Sequence, residues 1–332
     1  MSEPLLSVRG VRKLFSVKAG GWRSRERRFV HAVDDVSFDL AAGEALALVG
    51  ESGCGKSTLA LTLLGLESPT AGSIRFEGQE LGAAPAAAWK QARRHIQMIF
   101  QDPYESLNPL MTVGEIVAEP LHVHKLTSDP GERQRRVVAA LEDAGLKPAE
   151  HFVRRFPHEL SGGQRQRVAI AAALVLEPRL LVADEPVSML DVSIRAEILN
   201  LLADLKTRRQ IAVIFITHDL GTVSAVADRI AVMYLGRIVE IGAANAVLTA
   251  PQHPYTRALL SVVPAPNPRR RRQHIILQGE TPDPVNLPVG CRFAPRCPVA
   301  VARCREVDPA LAPTAAGQQA ACLRLDDPTL FE

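Results

Sequence analysis

The stretch "EALALVGESGCGKSTLALTLLGL" (Glu44–Leu66) constrains the fold more than any other part of the chain. A short apolar strand, "EALALVG", runs into a glycine-rich turn, and "STLALTLLGL" leaves it with helical spacing. Strand, glycine loop and helix open a βα unit of a parallel sheet. The turn, "GESGCGKST" from Gly50 to Thr58, fits G-x-x-x-x-G-K-S in the context that this motif requires. Its glycines leave backbone N–H groups free to face phosphate oxygens, and the helix N-terminus adds partial positive charge. Gly50, Glu51, Ser52, Gly53, Cys54, Gly55, Lys56, Ser57 and Thr58 are therefore candidate nucleotide-binding residues. Lys56 brings a point charge to the β- and γ-phosphates, and Ser57 brings a hydroxyl for Mg²⁺. Cys54 reads as a small loop residue and not as a metal ligand.

Two further buried strands follow, "RLLVADEP" ending at Asp184 and "IAVIFITHD" ending at His218. Near-continuous apolar runs suit strands covered on both faces, and polar residues at their carboxyl ends lie where open α/β sheets bind ligands. Asp184 is placed to hold Mg²⁺, and Glu185 to orient and deprotonate an attacking water. "LSGGQRQR" (Leu160–Arg167) opens the apolar run Val168–Leu176, which is too short for the roughly 20 residues of a bilayer span and reads as a buried core helix. Ser161 is a natural N-cap. Gly162 and Gly163 after it offer a second phosphate-binding helix start, with Gln164 beside them. Either the chain binds two anions or this second site serves the nucleotide of a partner chain. "LLSVRGVRKLF" and "HAVDDVSFDL" read as N-terminal strands around a loop near Gly20–Arg28, residues 112–160 as mostly helical, and "IAVMYLGRIVEIG" as a hairpin turning near Gly236. The balance of 39 Lys+Arg against 36 Asp+Glu argues against a nucleic-acid partner. The basic runs Arg23–Arg28 and Arg269–Arg272 suit solvated loops or contact with anionic headgroups. "MSEPLLSVRG" has no apolar h-region, so a secretory signal is not expected.

Taken in order, the P-loop, "LSGGQ", "DEP" and an isolated histidine resemble the nucleotide-binding subunit of ABC transporters over about residues 5–245. The resemblance implies an α/β P-loop fold with a RecA-like core, an antiparallel β subdomain and a helical subdomain at about 105–165, completed by a small cysteine-bearing extension at 246–332. It implies two cassettes packed head to tail, the Ser161–Gln164 segment of one covering ATP on the P-loop of the other. Gln101 in "IFQDPY" matches the glutamine that senses Mg²⁺ and the γ-phosphate. Asp191 in "SMLD" matches the D-loop, and His218 the histidine that contacts the γ-phosphate. Met189 stands where alanine is common. Phe15 is the expected adenine-stacking ring, with Trp22 and Phe29 as alternatives. The wording "FQDPYESLNP", "DEPVSMLDVS" and "HPYTRALLSVVP" is similar to the dipeptide/oligopeptide importer group, which includes nickel importers, and to the second of its two ATPase subunits. That similarity implies a related ATPase subunit, two permease subunits and an extracytoplasmic solute-binding protein as partners, at the cytoplasmic face of a bacterial membrane. The rival class, ABC ATPases of DNA repair or translation, ordinarily carries long coiled coils or two cassettes in one chain; neither is present here.

Four of the five cysteines, Cys291, Cys297, Cys304 and Cys322, lie beyond a Pro-rich basic linker at Pro264–Arg272, separated by five, six and seventeen residues. Zinc sites usually show C-x-x-C pairs, disulfides need an oxidising compartment, and iron–sulfur clusters tolerate varied spacing. Spacing alone leaves zinc and cluster equal. The resemblance to peptide-importer tails implies a 4Fe–4S cluster on these four thiolates, in a structural role, with zinc as the alternative and a redox-gated ATPase as the rival reading.

Overall fold

The computed structural model describes residues 3–18, 27–263, 274–325 and 327. The core of the Gly/Arg loop, with Trp22, and the Pro-rich linker with Arg269–Arg272 lie outside them. The chain divides into two compact units: Met1–Leu40 with Leu46–Ala83 and Thr217–Glu332, and Ala41–Ala45 with Ala84–Ile216.

In the first unit, β1 (Leu6–Lys18) and β2 (Arg27–Leu40) pair antiparallel. The register slips three times between Val8 and Leu14, which bends a ribbon too long to stay flat. After β3 (Ala45–Val49), the glycine loop and α1 (Lys56–Leu63), the strands β4 (Ala71–Phe76) and β5 (Gln79–Glu80) complete the antiparallel sheet β2-β1-β4-β5. Leu6, Val8 and Val11 of β1 bury one face fully, and each such side chain stabilises the sheet by about 1.5–3 kcal/mol.

The second unit carries α2 (Ala86–Ala92), β6 (Ile96–Ile99), α3 (Pro103–Ser106), α4 (Val113–Val123), α5 (Pro130–Asp143), α6 (Glu150–Val153), α7 (Gly162–Leu174), β7 (Leu180–Asp184), α8 (Val192–Arg209) and β8 (Ala212–Thr217). β6, β7 and β8 form a parallel ladder, with Ile96 opposite Leu180 and Leu180 opposite Ala212. Every residue of β7 and β8 is buried, as the apolar runs require. The expected helical stretch before Leu160 is α4, α5 and α6. Thr112 and Glu115 close a capping box on α4, and Asp129 caps α5 through the Gly131 and Glu132 amides. The run beginning at Val168 lies in α7 with Val168, Ile170, Ala171 and Leu174 buried.

The first unit resumes with α9 (Leu220–Val223), β9 (Arg229–Tyr234), β10 (Arg237–Ala243), α10 (Ala244–Thr249) and α11 (Pro254–Ser261). β9 runs parallel to β3 and antiparallel to β10, turning at Gly236 with φ 78°. The cysteine-bearing residues belong to this same unit: β12 (Gln319–Ala320) pairs with Ile241 and Glu240 of β10 and with β11 (Ala312–Pro313). Arg292 from the tail donates to the Leu235 carbonyl and to the Asp34 carboxylate, both buried bonds. Among the described residues no helix is long and apolar enough to cross a membrane.

Candidate nucleotide site and thiol cavity

The loop Gly50–Thr58 leaves the buried strand β3 in the first unit. Gly55 sits at φ 106°, and a Cβ there would lie 2.0 Å from the Ala32 carbonyl oxygen, so only glycine fits. A Cβ on Gly50 would lie 2.3 Å from the Met233 carbonyl oxygen. With Gly55 at its N-cap, α1 starts without a side-chain cap, which leaves its N-terminus open to an anion. The Lys56 ammonium is buried and folded onto the loop, donating to the carbonyls of Gly50 (2.8 Å) and Glu51 (2.9 Å), with the Cys54 sulfur 3.7 Å away. Burial pushes the Cys54 thiol up, only partly offset by Lys56, so it stays a packed thiol. Ser57 is exposed and Thr58 half-buried.

Glu51 is tied down by residues far along the chain. Its N–H donates to the Tyr255 hydroxyl (2.9 Å). Its carboxylate accepts from Arg296 through both terminal nitrogens (2.7 and 3.2 Å) and from the Thr281 hydroxyl (3.0 Å). Tyr255, Tyr234, Phe293 and His253 form one buried aromatic cluster, with Tyr234 and Tyr255 centroids 4.7 Å apart. These partners were not among the expected site residues; "HPYTRALLSVVP" marked the segment but not what Tyr255 touches. His218 is exposed at the turn after Thr217, where Asp219 caps the next helix through the Gly221 amide. Phe15 lies on the outer half of β1, 36% exposed, with the Lys13 ammonium 4.7 Å from its centroid; Phe29 is exposed on β2.

The second unit holds Gln101, Asp184, Glu185, Asp191 and the segment Ser161–Gln164. Asp184 is buried at the end of β7. Glu185 follows at φ 45°, a left-handed conformation that costs a non-glycine residue about 1 kcal/mol or more. Its backbone is held on both sides: its N–H donates to Ile216, and its carbonyl accepts from the Ser188 amide and hydroxyl. The turn lifts its side chain off the ladder, where the Gln101 amide donates to it at 3.2 Å. Ser161 caps α7: its hydroxyl accepts from the Gln164 N–H at 3.3 Å, and the Gln164 side chain accepts from the Ser161 N–H at 3.0 Å. Gly163 has a second reason to be glycine, since a Cβ there would lie 2.5 Å from Ile194 of α8. Asp191 caps α8 through the Ile194 N–H at 3.0 Å. Met189 is exposed.

Cys291, Cys297, Cys304 and Cys322 line one cavity of ≈ 20 Å³, together with Phe293 and Arg324. All are free thiols. Burial pushes the Cys291 and Cys297 thiols up to about 11, each helped by the other cysteines. The donor set suits a group that takes four thiolates, and a bound cation would reverse that shift. Among the described residues no three His, Cys, Asp or Glu side chains stand close enough together to hold a metal ion as they are.

Residues 33–188 match the family described as "ABC transporter", and residues 239–304 match "Oligopeptide/dipeptide transporter, C-terminal region". The chain is 49% identical over 324 residues to a probable peptide ABC transporter ATP-binding protein of Sinorhizobium fredii, covering 97% of this chain and 90% of that one. It is 46% identical over 323 residues to the dipeptide transport ATP-binding protein DppF of Haemophilus influenzae, covering 97% of each. Among solved structures, the dimeric ATP-binding cassette MJ0796 in a post-hydrolysis state with ADP and Pi superposes with a TM-score of 0.63 at 30% identity, over 72% of this chain and 98% of that one. Together with the glycine loop, the acidic strand end and the Ser161 helix start, these likenesses show that the chain belongs to the ABC transporter family, among the ATP-binding proteins of the peptide and dipeptide type.

Proposed function

We propose that this chain is the ATPase subunit that powers import of di- or oligopeptides across a bacterial cytoplasmic membrane. The observation that carries this is the pairing in one chain of an ABC ATPase segment with an oligopeptide/dipeptide C-terminal region. The cassette takes residues 1–245, with its helical subdomain at about 105–165, and the peptide-importer extension takes 246–332. Two cassettes, this one and a related second ATPase subunit, close head to tail on ATP, with Ser161–Gln164 of each over the P-loop of the other. They work beneath two permease subunits at the inner face of the membrane, supplied by a solute-binding protein; no nucleic acid takes part.

The loop amides and Lys56 neutralise phosphate charge as ATP binds. Glu185, held off the strand end by its left-handed turn, takes the proton of the attacking water. Gln101 orients that carboxylate, His218 contacts the γ-phosphate, Asp191 orders the turn before α8, and Phe15 stacks on the base. Ser57, Gln101 and Asp184 would hold Mg²⁺, which offsets the charge of the β- and γ-phosphates when bound. Cys291, Cys297, Cys304 and Cys322 would hold a 4Fe–4S cluster, or zinc, which when bound cross-links a tail that has little core of its own.

The test is uptake by the assembled complex in vesicles, with labelled dipeptide and nickel ion offered separately. Peptide uptake coupled to hydrolysis is expected. Replacing Glu185 with Gln should lower hydrolysis by about 10²–10⁴-fold, as loss of a general base does. Near-normal hydrolysis in that variant refutes the role of Glu185, and uptake of nickel alone refutes the substrate.

A further inference from the structure

Every polar group of Glu51 has a partner. The N–H donates to Tyr255, the carbonyl accepts from Lys56 and from the Cys54 N–H, and the carboxylate accepts from Arg296 and Thr281. Three of these five partners come from beyond residue 254. Glu51 directly follows Gly50 at the start of a loop that has to receive a polyanion. An unpaired carboxylate there would repel the phosphates. The Arg296 side chain is only 10% exposed and grips the carboxylate with both terminal nitrogens, a geometry that adds direction to charge. The guanidinium also lies 6.0 Å from the Tyr234 ring centroid, against the aromatic cluster that fixes Tyr255 and Phe293. Arg296 immediately precedes Cys297, so its backbone is anchored where the thiols converge.

We infer that Arg296, assisted by Thr281 and Tyr255, is a positioning residue for nucleotide binding: the tail holds Glu51 in place and cancels its charge beside the phosphate site. The inference rests on the ATPase reading above. In this structure Lys56 is spent on the Gly50 and Glu51 carbonyls. Once Lys56 turns to a bound triphosphate, the Glu51 carbonyl keeps the Cys54 N–H, while its amide and carboxylate are held by the tail. The C-terminal region thereby acts on the ATP site itself, from within the same compact unit.

The test is a binding titration of the full-length chain with the fluorescent analogue mant-ATP. Arg296→Ala is expected to weaken binding about tenfold, the size of one unscreened charge beside a phosphate site. In a Glu51→Gln background the same change should matter less than about twofold, because no charge is left to cancel. Arg296→Lys should recover part of the loss, and raised salt should shrink it. Equal losses in both Glu51 backgrounds, or none in either, overturn the inference. Should Arg296→Ala fail to fold by thermal melting, Tyr255→Phe and Thr281→Val remove the other two ties without stranding a charge. Each should weaken binding by about two- to fivefold, and normal binding in both overturns the inference. A wild-type chain that binds no mant-ATP refutes the ATPase reading together with this one. Wild-type binding with an unchanged Arg296→Ala refutes the positioning role alone.

Discussion

Replacing Asp34 with Asn removes a buried negative charge shared by Arg292, Arg12 and Arg237, of which Arg237 keeps Asp308 as a second partner. The Asp34 carboxylate is buried and accepts from Arg292, with Arg12 Nε at 3.2 Å, Arg237 Nη2 at 3.6 Å and His31 Nδ1 at 3.8 Å. The arginines are not equal. Arg12 is 49% exposed and can return to water, whereas Arg292 is 8% exposed and cannot. Stranding one buried charge costs about 3–5 kcal/mol, and partial exposure of Arg12 and Arg237 puts this site at the lower end, about 3 kcal/mol. For a unit of this size that is a fall of roughly 6–12 °C in melting temperature. Burial raises the Asp34 pKa, but the Arg292 hydrogen bond and the charges of Arg292, Arg237 and Arg12 outweigh it and hold the carboxyl below its ordinary value. A folded value below the unfolded one means stability that is whole above about pH 4 and fades as pH falls through the folded value. Thermal melts of wild type and Asp34→Asn should therefore differ at neutral pH and converge in acid. The double variant Asp34→Leu with Arg292→Met removes both buried charges and should sit within about 1 kcal/mol of wild type. A single variant that melts like wild type, or a double variant as unstable as the single, refutes the reasoning.

Gly55→Ala should abolish mant-ATP binding, because a Cβ 2.0 Å from the Ala32 carbonyl at φ 106° forces the loop to shift, at about 1–2 kcal/mol for the backbone alone; titration of the folded variant checks it. Anaerobically purified protein should show iron and visible charge-transfer absorption, lost in Cys304→Ser and kept in Cys54→Ser, since Cys54 lies in the glycine loop and not in the thiol cavity; stoichiometric zinc without iron overturns the cluster.

Much of the cassette is legible in the sequence because its determinants are local. The strand, turn and helix around Gly50–Leu63 need only a buried apolar run, glycines where no Cβ fits, and helical spacing. The Ser161 and Asp191 caps are likewise set by residues three positions apart. The left-handed turn at Glu185 is not legible. Nothing in "ADEP" forbids an extended residue, and the constraint comes from Ile216 on the neighbouring strand. The grip on Glu51 is less legible still, since Tyr255 and Arg296 stand 204 and 245 residues away and no periodicity links them. The cysteine spacing of five, six and seventeen says nothing about what shares the cavity, yet Phe293, two residues from Cys291, packs on Tyr255. Besides the β12–β10 pairing, two of the tail's attachments within the first unit run through arginines. Arg292 meets Asp34 and the turn of the β9–β10 hairpin, and Arg296 meets the phosphate loop. Both arginines flank thiols, so whatever draws the four sulfurs together also sets where these two charges stand. A tail read from sequence as a metal staple on an appended segment is thus, by its contacts, part of the wall of the nucleotide loop.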